Sequence, residues 1–510
     1  KLLVGRDKLG IKPVYYYQDH GKLVFASEAK SILQVPGINA DIDHTALQQY
    51  LELGYVPAPL SLFKGIKKLP AATLMSFEDG KIEQKRFWDF HAAPDTNVSE
   101  MQWVEQVSGC LKECVESQMV SDVPLGAFLS GGIDSSGIVA YMAERSNIPI
   151  KTYSIGFDTG SGSKFYNELP YAKQVAELCN TEHKEILVRP DVVELLPKLI
   201  WNLDEPVADA AFITTYLVSQ FAKEDVSVIL SGVGGDELFG GYRRYLGEYY
   251  GSHYNKVPAW VRKSILNPIA HKLPVDRHSA LLNLSRYVRS FILSNELSFE
   301  ERYRNYVQVF DKDVINELVE TEVESGFDAL IEAFRKTEKE QGVDRLFHVD
   351  LLTQMPDDLL MLTDKMTMAT SLECRVPLLD DRMLALATQI PSNYKIKGKT
   401  LKYILKKSLQ GTLPDDILYR KKRGFGAPMG AWLKSELAPL MKNILSRDSI
   451  ENRGIFNWDI VNHTIKSHES NKEDHTDHLQ SLMNFEIWAR IYIDGISAAD
   501  LTDQIRSELA

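Results

Sequence analysis

Cysteine is scarce in this chain: 510 residues contain four, Cys110, Cys114, Cys179 and Cys374, and no two form a CxxC pair. That excludes a disulfide framework and a paired-thiol zinc or redox site, and it fits a reducing, cytoplasmic setting. Long apolar runs are missing too. No stretch approaches the roughly 18 residues that span a bilayer, and the start carries no signal-peptide pattern, so no membrane partner is expected. Nor is there a basic excess: 58 Lys and Arg against 70 Asp and Glu give a net charge of -12. Such a surface offers no broad attraction to phosphate backbones, which argues against a nucleic-acid partner. The chain has no internal repeat, and it opens on Lys1 rather than methionine. Because the first residues already read as strand, turn and strand, the expectation is a chain that lacks its true beginning.

What is present is ordinary globular composition, 44% hydrophobic and 25% charged, enough for two or three domains with buried cores. Residues 1 to about 90 read as β-rich: LLVGR, PVYYY and LVFAS, then TLMSF and the segment from Ile82, with DHGK at 19–22 and EDGK at 78–81 as hairpin turns. FASEAKSIL and HTALQQYLEL read as short helices between them. Around HAAPDTNVSE, 91–100, apolar periodicity stops and a linker is expected. Beyond it, helices alternate with short apolar strands: helix 101–118, PLGAFLS, helix 136–145, KTYSIGF, helix 170–179, HKEILV, helix 191–202, helix 211–222 and VSVILSG. That order predicts an α/β fold with a parallel sheet covered by helices. After about 245 the chain reads as helical, and the charged stretch 298–340 as a solvated helical surface.

Two turns stand out: LSGGIDSS at 129–136 and LSGVGGDELFGGY from Leu230. The first is neither a GxxxxGK[ST] nor a GxGxxG loop. Both follow predicted strands, where an open parallel sheet binds ligands on exposed backbone N–H groups and helix N-termini. Glycines at 131 and 132, with the hydroxyls of Ser130, Ser135 and Ser136, describe a pyrophosphate cradle. Asp134 inside it would be repelled by phosphate unless a divalent cation intervenes, so Mg²⁺ is implied, and Asp236 offers a second carboxylate. The competing reading is a serine-rich N-cap on an ordinary helix.

These residues carry a resemblance. LSGGIDSS, TYSIGF, DEP at 204–206, LSGVGGDELFGGY, DKMTMATSLECRVPLLD and YRKKRGFGAP occur in this order in glutamine-dependent asparagine synthetases and their relatives, which belong to the PP-loop ATP-pyrophosphatase class. The resemblance runs from residue 1 to about 435. It implies an adenine nucleotide alpha hydrolase-like parallel-sheet domain with a helical C-terminal part, over 100–510. Before it, over 1–92, it implies the rear portion of a β-rich N-terminal-nucleophile glutaminase domain. It further implies ATP and Mg²⁺, with ATP, aspartate, and glutamine or ammonia as small-molecule substrates; a homodimer is among the assemblies it admits. By matching positions, the backbone at Leu129, Ile155, Gly156, Ser231 and Gly232 would hold the nucleotide. Ser130, Gly131, Gly132, Ser135 and Ser136 would hold pyrophosphate, Asp134 and Asp236 the metal, and Lys422 would be the catalytic cation that neutralises transition-state charge. Without the family, RKKR at 420–423 is a short basic surface run.

The sequence departs from the pattern in two places. The third residue of the SGxG turn, commonly glutamate in asparagine synthetases, is Val233, which accepts no proton. This leaves open whether the amidated acid is aspartate, a saccharide acid or a lactam-forming substrate. Secondly, no cysteine precedes Cys110, so the glutaminase nucleophile of the family is not visible, and the chain as given is not expected to hydrolyse glutamine. A non-catalytic nucleotide-binding regulator is the reading from a different class. Among weaker candidates, Glu373 and Arg375 suit an ion pair as well as a substrate contact, and Asp204 and Glu205 a structural as well as a functional role. His183 reads as a packed histidine. His468, His475 and His478 match metal spacing only loosely, and Cys110 and Cys114 read as small buried residues.

Overall fold

The computed structural model describes residues 1–158, 168–189, 191–254, 256–272, 289, 291–321, 326–420 and 426–509. Six strands form the N-terminal region: β1 (Leu2–Gly5), β2 (Tyr15–Asp19), β3 (Lys22–Ala26), β4 (Ile66–Lys68), β5 (Thr73–Glu78) and β6 (Lys81–Arg86). They make two antiparallel sheets, ordered β1–β5–β6 and β3–β2–β4. Both hairpins close through two residues, since Asp19 pairs with Lys22 and Glu78 with Lys81. His20–Gly21 and Asp79–Gly80 all take positive φ, the backbone twist that matches paired strands.

Five further strands, β7 (Leu125–Phe128), β8 (Lys151–Phe157), β9 (Glu182–Val188), β10 (Val228–Leu230) and β11 (Glu373–Arg375), form one parallel sheet in the order β11–β10–β7–β8–β9. The chain lays β8 and β9 on one side of β7, then returns to place β10 on the other. Between β7 and β10 the strand order therefore reverses, and the segments leaving their carboxyl ends diverge from a common crevice. Register brings them level, with Leu230 opposite Ala127. Two strands were not anticipated, β4 (IKK) and β11 (ECR): each has three residues and no apolar alternation, so partner strands rather than local pattern define them.

The stretch 298–340 is helical with a largely exposed charged surface, as expected, but it differs from that expectation in part. Its helices Phe299–Val307 and Ala329–Lys336 bury Tyr303, Leu330 and Phe334, and the charged Arg302 and Asp328 are buried with them, while most of its other charged side chains face solvent. Arg302 forms a two-pronged pair with Glu248 (2.9 and 3.1 Å), and Arg304 joins Glu52 and Asp328. Helical spacing of charges looks the same whether they face water or one another.

The N-terminal region and the parallel-sheet region share one hydrophobic cluster. Tyr15, Tyr50 and Phe63 pack in it with Leu199, Phe212 and the buried helix Thr476–Tyr492, where the Phe63 and Trp488 rings lie 5.2 Å apart. A buried polar seam runs alongside. Asp204, fully buried and held at φ 67, accepts hydrogen bonds from the Ala29 N–H (2.9 Å), Lys30 Nζ (3.0 Å) and Lys365 Nζ (2.5 Å). Glu205 accepts from the Leu62 N–H at 2.6 Å and pairs with Lys68 at 2.6 Å, while Lys12 reaches Asp364 at 2.6 Å. No described helix is long and apolar enough to cross a membrane.

Candidate active site

The helix Ile133–Arg145 starts from Gly132, and no side chain caps it. The serines thus do not serve as its N-cap, contrary to the competing reading, and its first N–H groups keep their helix-dipole character. Ser130 and Ser135 instead bond each other across the turn (3.0 Å), and Ser135 Oγ also donates to the Gly132 carbonyl (3.2 Å). Gly131 takes φ 68, and a Cβ there would stand 2.6 Å from the Tyr171 and Ala172 backbone. Only glycine allows the loop to lie that close to the helix Leu169–Leu178. Ser136 is fully buried, and its hydroxyl has no hydrogen-bond partner among the described residues.

The second turn lies directly on the first. A Cβ on Gly232 would meet the Ser135 amide at 2.8 Å and Asp134 Cβ at 2.9 Å. Ser231 is buried, its N–H bonded to the Arg375 carbonyl at 2.8 Å. Asp134 and Asp236 converge on one cation, Lys402, whose Nζ lies 2.5 Å from Asp134 Oδ2 and 2.8 Å from Asp236 Oδ1. Burial alone would depress the Lys402 ammonium, but Asp134 and then Asp236 outweigh it and hold it well above the usual lysine range. Two glycines make room: a Cβ at 235 would fall on the Asp134 carboxylate, and one at 241 on the Asp236 carboxylate and Lys402 Cε. Two hard carboxylates already gathered on one positive centre are a donor set that suits Mg²⁺. Next to Asp236, Glu237 is buried, and burial followed by the Asp236 charge pushes its carboxyl up to about 7; the Tyr242 hydroxyl donates to it.

Ile155 and Gly156 lie on β8, where a Cβ at 156 would meet Leu169 at 2.9 Å. Leu129 donates its N–H to Tyr153 (2.9 Å) and accepts from the Ser154 hydroxyl, so both its backbone groups are engaged within the sheet. Lys422 lies outside the described residues. Its neighbour Arg420 does not. The Arg420 guanidinium is pinned by Glu168 (2.6 Å), stacks 4.6 Å from the Tyr171 ring centre and stands beside Gly132, 3.8 Å from where a Cβ would be.

Sequence reasoning passed over Lys402, Glu237 and Arg420. The sequence did hold one signal for Lys402, since two aspartates brought into one small-residue crevice require a counter-cation, but GKTLKYILKK does not identify which lysine supplies it. Other candidates are structural. Arg375 bonds Glu373 (2.8 Å) along β11 and donates to the Gln118 and Val120 carbonyls (both 2.7 Å), which places it at the C-terminal end of the helix Glu100–Gln118. His183 packs on β9, with Nδ1 2.9 Å from the Thr152 hydroxyl. Among the described residues, no group of three or more His, Cys, Asp and Glu side chains is arranged to hold a metal, the C-terminal histidines included.

The asparagine synthase family model matches residues 106–490, and that of the glutamine amidotransferase domain matches residues 1–88. Asparagine synthetase [glutamine-hydrolyzing] 1 of Bacillus subtilis is 33% identical over 493 residues, 96% of this chain and 75% of that protein. Asparagine synthetase [glutamine-hydrolyzing] 3 of the same organism is 32% identical over 82% of this chain and 64% of its own length. The amidase chyE of Penicillium rubens is 24% identical over 91% of this chain and 73% of its own length. With two glycine-rich turns stacked at the switch point of a parallel sheet and matches across nearly the whole length, the chain is a carbon–nitrogen ligase of the asparagine synthase type and belongs to the asparagine synthase family.

Proposed function

We propose that the chain, its residues 100–510 acting as the ligase and 1–92 as the rear part of a glutamine amidotransferase domain, adenylates the aspartate side chain and amidates it. The carboxylate oxygen attacks the α-phosphorus of ATP and pyrophosphate leaves; ammonia then adds to the acyl carbon and AMP departs, leaving asparagine. The chemistry needs this activation because a carboxylate oxygen is a poor leaving group and AMP a good one. The observation that carries the reading is the pair of stacked turns with Asp134 and Asp236 drawn to one point. In it, the turn at 130–136 and the start of the helix after it bind the pyrophosphate portion. The β8 backbone at Ile155 and Gly156, with Leu129, Ser231 and Gly232, bounds the nucleotide. Asp134 and Asp236 hold Mg²⁺, which neutralises phosphate charge when bound. Lys422 stabilises charge on the reacting phosphate.

Val233 favours a second reading, the same chemistry on another acid. It packs half-buried against the core cluster where a proton-accepting residue is common in asparagine synthetases, and a relative named an amidase is similar to this chain over 91% of its length. The test is pyrophosphate release from Mg·ATP with ammonium as nitrogen donor across a panel of carboxylates, aspartate first, alongside Asp134→Asn and Lys422→Ala. Aspartate-dependent release lost in both variants supports the first reading. Release with a different acid selects the second, and ATP binding without release on any acid removes both.

A further inference from the structure

Lys402 touches both carboxylates of the crevice, and its setting is built around that position. Its side chain is 5% exposed. Its backbone takes φ 52, an unfavourable region for a side chain this large, immediately before the helix Tyr403–Ser408. Gly241 lacks the Cβ that would collide with both Lys402 and Asp236. The chain thus accepts strain and a conformational restriction to hold an ammonium between Asp134 and Asp236.

Two carboxylates in so small a space repel each other, and one would be forced neutral without compensation. The ammonium removes that repulsion and keeps both oxygens turned to one point. It also competes with a metal, because a divalent ion taking the same oxygens would face a like charge a few ångströms away in a water-poor crevice. Nucleotide phosphates change the balance: their oxygens offer the ammonium a new charge-assisted partner and release the carboxylates to the metal.

On the nucleotide-binding reading proposed above, we propose that Lys402 is a resident counter-cation that preshapes the Asp134–Asp236 pair and excludes free divalent metal, yielding the carboxylates only to metal that arrives with phosphate. Lys402 then acts as a positioning residue, moving from carboxylate to phosphate as the substrate enters. Binding of metal and nucleotide should accordingly be strongly cooperative.

The test is Mn²⁺ binding followed by electron paramagnetic resonance, with Mn²⁺ alone and with Mn·ATP, in the wild type and in Lys402→Met. The wild type is expected to bind Mn²⁺ alone at least about tenfold more weakly than Lys402→Met, the smallest effect expected of a like charge so close. Mn·ATP affinity should fall in the variant. The wild type also stands as its own test where the variant does not fold: tight Mn²⁺ uptake without nucleotide, unchanged when ATP is added, overturns the proposal. Equal Mn²⁺ affinity in both proteins overturns it as well, while leaving the nucleotide reading intact if Mn·ATP binds. Failure of the wild type to bind Mn·ATP at all removes the nucleotide reading, and this proposal with it.

Discussion

At the scale of single residues, the site depends on side chains that are absent as much as on those present. Gly241 is the sharpest case, since a methyl group there would fall on the Asp236 carboxylate and on Lys402. Gly241→Ala is expected to weaken Mg·ATP binding at least about tenfold, as displacement of charged groups from a small site costs more than one such factor. Isothermal titration with ATP measures this, and unchanged affinity would show that the two carboxylates need not converge. Arg420 carries a second expectation. Its Nη1 is buried without a hydrogen-bond partner among the described residues, while Nη2 is held by Glu168 beside Gly132. Such a donor costs about 1–3 kcal/mol unless an acceptor is supplied. Arg420→Lys should therefore raise the KM for ATP more than it lowers kcat, whereas equal falls in melting temperature and turnover would mark the residue as structural only. The glycines and aspartates of both turns were legible because backbone approach and charge follow from residue type. Lys402 and Arg420 were not, since any of the many lysines and arginines would have looked the same before folding.

At the scale of elements, strands flanked by Gly-containing turns were readable to within a residue or two, and KTYSIGF coincides with β8. Elements without a pattern of their own were not. β11 is a strand because β10 is beside it, and Arg302 and Arg304 turn inward from an otherwise exposed charged helix because Glu248 and Glu52 await them. One contact between elements has a pH signature. His348, buried in the helix Gly342–Leu352, lies 2.9 Å from Glu340 and 3.4 Å from Asp89, at the end of the N-terminal region. Burial pulls its imidazole pKa down, but hydrogen bonds to Asp89 and Glu340 outweigh burial and raise it above the ordinary value. A folded-state pKa above the unfolded one contributes stability that is complete below about 6.5 and is lost as pH rises through the raised value. The melting temperature should therefore fall between pH 6 and 9, and His348→Gln should flatten that part of the profile. A variant with an unchanged slope would assign the dependence to other groups.

At the scale of the whole molecule, the motifs DEP and DK that accompany the two glycine-rich turns join the buried polar seam between the two regions, where Lys30 and Lys68 come from the N-terminal region and Lys365 from the same region as Asp204. Lys365 (2% exposed) and Lys30 both meet Asp204, and Glu205 meets Lys68. The sequence marked these residues but held no information on their partners, because each pair is separated by over a hundred positions. Removing one member of a buried pair leaves an uncompensated charge, so Lys365→Met is expected to cost roughly 3–5 kcal/mol. Urea unfolding measures it. Both regions should lose structure in one transition, in the variant as in the wild type, and two separated transitions would contradict the shared core.

The connection over 91–100 is largely exposed, with its Ala93 and Asp95 amides bonded to the Thr388 and Gln389 carbonyls, while the parts it joins are fused through Phe63 and Trp488. Covalent continuity and structural continuity are therefore decoupled: a protease that cuts near Thr96–Asn97 should leave two fragments that travel as one particle in native chromatography and part only in denaturant.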